Sequence, residues 1–219
     1  MAIKILNQGG DSGGGGQQNA SDDIIGQLTT GHGMVPDYTD LGTYAIRTDD
    51  PEVADAVAAA FPDSHQDEFD GNRPFYVIMP DGAPLGIEVD FIKTEMALRS
   101  RQGKKLRQCD GEVMTDEADC ACAQNYEHGT AEFREAAKDG LACKPEGLIF
   151  FTIPGVDIPG KFIFSKSSES TVRPFVELEE LASDLEASTF STNVSIRNIE
   201  SKKTGYSWNV PVFSAPEEV

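Results

Sequence analysis

Apolar and polar residues alternate with a period of two in GIEVDFIK. There Ile87, Val89 and Phe91 fall on one face and Glu88 and Asp90 on the other, the pattern of a half-buried strand. The FYVIM run before it predicts a second strand, and the simplest arrangement pairs the two antiparallel. TYAIR reads as a further short strand. GLIFFTIPG and KFIFSK are continuous apolar, β-favouring runs split by a Pro/Gly turn, which predicts a central hairpin. STNVSIRNIESKK and GYSWNVPVFS predict another, turning near Thr204 and Gly205. The period changes to that of a helix in TDDPEVADAVAAAF, where Asp50 can cap, Pro51 suits the first turn, and Val53, Val57, Ala58 and Phe61 share a face. RPFVELEELASDLEAS carries Phe175, Leu178, Leu181, Ala182 and Leu185 on one stripe, with Glu177, Glu180, Asp184 and Glu186 outside it. TAEFREAAKDG predicts a short helix stopped by Gly140. The sum is an α+β fold: a mostly antiparallel sheet with two or three packed helices.

The glycine-rich, polar start of the chain lacks the apolar surface that would offset the entropy of ordering it. Residues 1–37 therefore read as a flexible tail, and residues 38–215 as a single α+β domain. The tail contains GDSGG at Gly10 to Gly14, which is similar to the segment around the nucleophilic serine of chymotrypsin-like proteases. Those enzymes place a histidine and an aspartate before the serine, and no histidine precedes Ser12 here, so a linker is the better reading.

Composition narrows the partners. A formal charge of −19 repels nucleic-acid phosphates and anionic membranes from the molecule as a whole, and favours a protein partner, especially a basic one. No run has the length of a signal peptide or a membrane span, so a cytoplasmic protein without membrane association is expected. In a reducing compartment, clustered cysteines point to metal or thiol chemistry before a structural bridge.

The cysteines are clustered. Cys109, Cys120, Cys122 and Cys143 are the only four, and they bracket a polar insertion at about residues 105–145. Four thiolates satisfy tetrahedral zinc and leave no open position for a catalytic water, so a structural Zn2+ stapling an insertion with no core of its own is expected. Cys120 and Cys122, two apart in an extended segment, project to one side, while Cys109 and Cys143 sit where the excursion leaves and rejoins the sheet. Substitution of His128 for one cysteine, an iron–sulfur cluster and uncoordinated or redox-active thiols stay open. The acidity of Asp110, Glu112, Asp116, Glu117 and Asp119 opposes a reactive thiolate.

RSRQGKKLR places Arg99, Arg101, Lys104, Lys105 and Arg107 directly before the first cysteine, a basic run in an acidic chain. It reads either as a docking patch for an acidic helix or nucleic-acid backbone, or as a solvated hairpin tip. The acidic helix between Pro174 and Ser188 is a second contact candidate, although such a face is more often simply solvated. His32, His65 and His128 have no serine or carboxylate arranged for triad chemistry, and there is no P-loop, GxGxxG or HExxH. No catalytic residue is assigned and no enzyme is expected.

The order of these segments resembles a known family. TYAIRTDDPEVADAVAAAF, a strand pair, RQCDG, CAC, CKPEGLIFFTIPG and KFIFSKSS together look like the recombination directionality factor-like proteins of actinobacterial phages and mobile elements, over roughly residues 40–213. One departure is Phe61-Pro62-Asp63, where the family would close the first helix with a glycine pair. The resemblance implies a non-enzymatic protein that binds a large serine integrase on att-site DNA in the bacterial cytoplasm and favours attL × attR excision over integration, with no small-molecule substrate. Two other readings remain: a zinc-containing nucleic-acid-binding phage accessory protein using the basic run, and a thiol-redox protein.

Overall fold

A computed structural model of the chain describes residues 24–30, 44–99, 105–109, 122, 125–127, 130–185, 187–200, 205 and 207–219. The elements in order are β1 (Ile24–Thr30), β2 (Tyr44–Thr48), α1 (Pro51–Ala60), β3 (His65–Glu68), β4 (Phe75–Ile78), β5 (Leu85–Arg99) and β6 (Lys105–Cys109). They continue with α2 (Ala131–Lys138), β7 (Lys144–Thr152), β8 (Lys161–Lys166), α3 (Glu169–Ala182), β9 (Phe190–Glu200), β10 (Ser207–Phe213) and β11 (Glu217–Glu218). This is an α+β fold built on one large sheet in the order β10-β9-β5-β7-β8-β1-β2-β4-β3, with β6 pairing β5 and β11 pairing β9. β1 runs parallel to β8, while the β1–β2, β2–β4, β3–β4, β5–β6, β5–β9, β9–β10 and β9–β11 pairs are antiparallel.

Two sequence expectations change. Ile24–Thr30 lies within the stretch read as tail, yet it is an inner strand between β8 and β2. Its Gly26 carries the reason: a Cβ there would stand 2.7 Å from Phe162 Cδ1 and 3.1 Å from the Arg47 carbonyl oxygen, so only glycine lets the chain pass. β4 and β5 do not pair with each other; β4 lies between β2 and β3, and β5 takes β9. By its internal contacts the chain falls into two compact units.

One unit comprises Lys93–Leu148 and Lys166–Glu177 among the described residues; the other comprises Gly15–Ile92, Ile149–Ser165 and Leu178–Val219. In the larger, Leu28, Ile46, Val77, Leu85, Ile87, Phe151, Phe162 and Phe164 form the core, with the Phe151 and Phe162 rings stacked at 5.7 Å. α1 adds Val53, Ala54 and Val57. It starts where the sequence says it should, since Asp50 accepts a 2.8 Å hydrogen bond from the Glu52 N–H and Pro51 occupies the first turn.

β5 buries Ile87 and Val89 as predicted, with Leu85 on the same face, but Phe91 is 54% exposed and the buried set resumes at Ile92. Burial thus changes parity after Val89: Asp90 is half-buried, Phe91 exposed and Ile92 buried. Phe91 packs instead near Phe150, with ring centroids 6.2 Å apart. α3 begins five residues before Pro174, anchored by the Thr171 and Val172 N–H groups donating to the Ser168 carbonyl. Phe175 and Leu178 are buried as expected, whereas Leu181 is exposed in the last turn.

Candidate metal centre

The smaller unit is built around sulfur. Its apolar cluster consists of Met96, Leu98, Cys109, Cys122, Phe133, Ala136, Ala137, Ala142 and Cys143, with Tyr126 packed against it. Each cysteine arrives on a separately anchored piece of chain. Cys109 ends β6, opposite Met96 in the antiparallel ladder with β5. Cys122 heads a turn closed by the Asn125 and Tyr126 N–H groups, which donate to its carbonyl at 3.2 and 2.9 Å. Cys143 directly precedes β7.

α2 carries the chain across this cluster and delivers the last cysteine. Thr130 caps it, its hydroxyl accepting from the Phe133 N–H at 3.2 Å and donating to the Glu127 carbonyl at 2.7 Å. The helix lays Phe133, Ala136 and Ala137 onto the sulfurs and stops as predicted at Gly140, whose φ of 73° reverses the chain. The Leu141 and Ala142 N–H groups then donate to the Ala136 carbonyl at 2.8 and 3.2 Å, which sets the residues on either side of Ala142.

The result is a tight thiol cluster. Cys109, Cys122 and Cys143 are 3%, 2% and 1% exposed. Cys122 Sγ lies 3.3 Å from Cys143 Sγ and also accepts the Cys143 backbone N–H at 3.2 Å. Cys109, buried surroundings and Cys122 together push the Cys143 thiol far above its ordinary range, so it is protonated and a poor nucleophile. Cys120, the fourth member of the expected set, and His128 lie outside the described residues.

Among the described residues, no group of three or more His, Cys, Asp or Glu side chains is placed to hold a metal ion. Thiols are the donor type that a thiophilic cation takes. In a tetrahedral site with Zn–S bonds of about 2.3 Å the sulfurs stand about 3.8 Å apart, so the two closest thiols need to open by about half an ångström. An N–H donated to a ligating sulfur is the kind of outer contact that holds such a thiolate in place.

Within the basic run, the described residues differ in their settings. Arg99 ends β5, and Arg101 and Lys104 lie outside the described residues. Lys105 faces Arg99 across the β5–β6 ladder, and its ammonium is held by Glu95 and, at 3.3 Å, by Gln108. Arg107, opposite Leu98, is half-buried. Glu95 is the residue that sequence reading missed. It is only 6% exposed and also takes Lys93 at 2.9 Å. Burial alone would raise its pKa, but the two lysines outweigh that and hold its carboxyl below the usual value. Only the hairpin register brings Glu95 to Lys105, so nothing in the local sequence announces the pair.

Of the other sequence candidates, His32 and the GDSGG segment lie outside the described residues, and His65 is exposed on β3. No known family model, curated protein or solved structure matches the chain.

Proposed function

We propose that this chain is a non-enzymatic recombination directionality factor: it binds a large serine integrase on att-site DNA and shifts it from integration towards attL × attR excision. The cysteine frame is the most specific part of the resemblance, and one observation supports giving it weight. Cys109, Cys122 and Cys143, spread over three separate segments, share one buried cluster. In this reading Cys109, Cys120, Cys122 and Cys143 hold a structural Zn2+ that substitutes for the core that the insertion is too polar to build.

The chemistry required is modest. A factor that acts on a conformational equilibrium needs differential affinity for two arrangements of its partner, and about 5.5 kcal/mol of difference swings a balance from 1:99 to 99:1. Surface contacts supply that without a catalytic group. A net charge of −19 suits docking on a basic DNA-binding protein and disfavours direct contact with DNA. No helix among the described residues is long and apolar enough to cross a membrane.

The test is recombination in vitro with the cognate integrase. Adding the protein should start attL × attR recombination and suppress attP × attB. Unchanged rates in both reactions sink the proposal.

A further inference from the structure

We infer that Arg47 and Arg73, on one face of the larger unit, form a binding site for a small dianionic oxyanion of the phosphate class. The inference goes beyond the recombination reading and does not rest on it.

Strand register brings the two guanidinium groups together. Gln27 in β1 and Arg47 in β2 are directly opposite, and Arg47 is in turn opposite Tyr76 in β4, so the three side chains share one face. The loop joining β3 to β4, closed by the Phe69 N–H donating to the Pro74 carbonyl at 3.0 Å, reaches the same place. Arg47 Nη2 donates to the Asn72 carbonyl at 2.8 Å, and Arg73 Nη1 donates to Gln27 Oε1 at 2.9 Å. Consecutive loop residues thus meet neighbouring side chains of the ladder. Arg47 also lies over the Tyr76 ring, 4.8 Å from its centroid.

The charges are unbalanced there. Both acceptors are neutral, and among the described residues neither guanidinium is ion-paired, in a chain with 37 acidic residues against 18 basic ones. Asp67, opposite Tyr76 in β3, turns an oxygen to the Glu68 N–H at 2.8 Å instead. Arg47 Nε is buried and has no hydrogen-bond partner among the described residues. A covered donor on a cation is costly without an acceptor, and an anion's oxygen supplies one. Arg73 is the one described non-glycine residue with a positive φ, at 59°, a conformation that side chains disfavour and that recurs at ligand sites.

The same features choose the ligand. Each guanidinium has five N–H donors and spends one on a neutral oxygen, which leaves enough for both to grip an oxyanion. A phosphate monoester carries about −1.5 to −2 charges at neutral pH and matches two arginines, whereas a single carboxylate matches one. The net charge of −19 repels an extended polyanion, so the phosphate belongs to a small molecule and not to a nucleic-acid backbone.

The experiment is isothermal titration calorimetry of the full-length protein with inorganic phosphate, at constant ionic strength, with acetate as the monoanion. Phosphate should bind saturably at one site per chain, and acetate at least about tenfold more weakly. Arg47→Gln and Arg73→Gln should each weaken phosphate by at least about tenfold, the loss expected for a hydrogen bond to a charged group. Arg73 lies in a loop, so its variant keeps the test open when Arg47→Gln fails to fold. Arg134→Gln, which removes a 57% exposed arginine of the smaller unit, should bind as wild type does. No saturable phosphate binding overturns the inference, and so does undiminished binding by Arg73→Gln, which would place the anion elsewhere. Acetate binding as tightly as phosphate overturns the assignment of ligand class.

Discussion

The ring of Phe175 in α3 lies so close to Gly147 in β7 that a Cβ added at Gly147 would stand 2.9 Å from its Cδ1 and 3.0 Å from its Cγ. Phe175 is fully buried, so the ring has nowhere to go. Overpacking of this kind costs about 1–3 kcal/mol, against a gain of about 0.4–1 kcal/mol from restricting the unfolded chain when glycine becomes alanine. Gly147→Ala should therefore destabilise the protein by about 1–2 kcal/mol, read as a lower urea midpoint at unchanged slope. A midpoint equal to or above wild type would show that the helix yields at this contact.

Metal removal is the second prediction. Elemental analysis should find one zinc per chain, and chelation should lower the melting temperature. Cys143→Ser should reproduce that loss, because Cys143 is 1% exposed and its serine oxygen is a poorer donor to a thiophilic cation. Loss of a structural metal belongs with the largest single-residue effects, about 3–5 kcal/mol. The same melt for metal-replete wild type and Cys143→Ser would remove the metal from the account of stability.

How much was legible in the sequence follows from the range of the forces involved. α1 was readable because its signals are local: Asp50, Pro51 and the Val53/Val57 spacing act within one turn. That Cys109, Cys122 and Cys143 fall in one cluster was suggested by their spacing around a polar stretch. β1 was missed because Gly26, which reads as a strand breaker, is required by the Phe162 ring more than a hundred residues away. Phe91 was placed inward because alternation gives the face a side chain takes and not whether that face is covered there. The β5–β9 pairing, Leu85 against Val194, likewise joins segments that share no local signal, whereas the false β4–β5 pairing had sequence proximity in its favour.

Glu95 predicts a pH dependence. Its pKa in the folded protein is depressed below the ordinary value of about 4.5, so its contribution is fully present above that pH and is lost as pH falls through the folded value. Glu95→Gln keeps the shape and removes the charge that Lys93 and Lys105 share. Both lysines are partly exposed and regain water, which keeps the cost nearer about 1–2 kcal/mol than the value for a wholly buried pair. The stability difference between wild type and variant, followed by urea unfolding from pH 7 to pH 3, should be constant at first and shrink only below about pH 4.5. A difference that does not change across the range would assign the Glu95 effect to packing alone.

Lys166, the last residue of β8, carries the opposite sign. Burial lowers its pKa from 10.5 to about 8, so at neutral pH the folded chain keeps a cation that would be better solvated unfolded. Below about pH 8 the lysine is protonated in both states and this penalty is constant. Between about 8 and 10.5 the unfolded chain still holds the proton while the folded chain has released it, so stability contributed by this residue rises with pH. With each pKa unit equivalent to about 1.4 kcal/mol, the penalty is of the order of 3–4 kcal/mol at neutrality. Lys166→Met, which keeps the length and the apolar stem, should therefore be more stable than wild type at pH 7. Its advantage should decline as pH rises from 8 towards 10.5, because wild type recovers there and the variant has no such proton to lose. Urea midpoints for the two proteins at a series of pH values give the measurement. An advantage that persists unchanged at pH 10 would mean that methionine improves the packing and that the lysine charge is already satisfied in the fold.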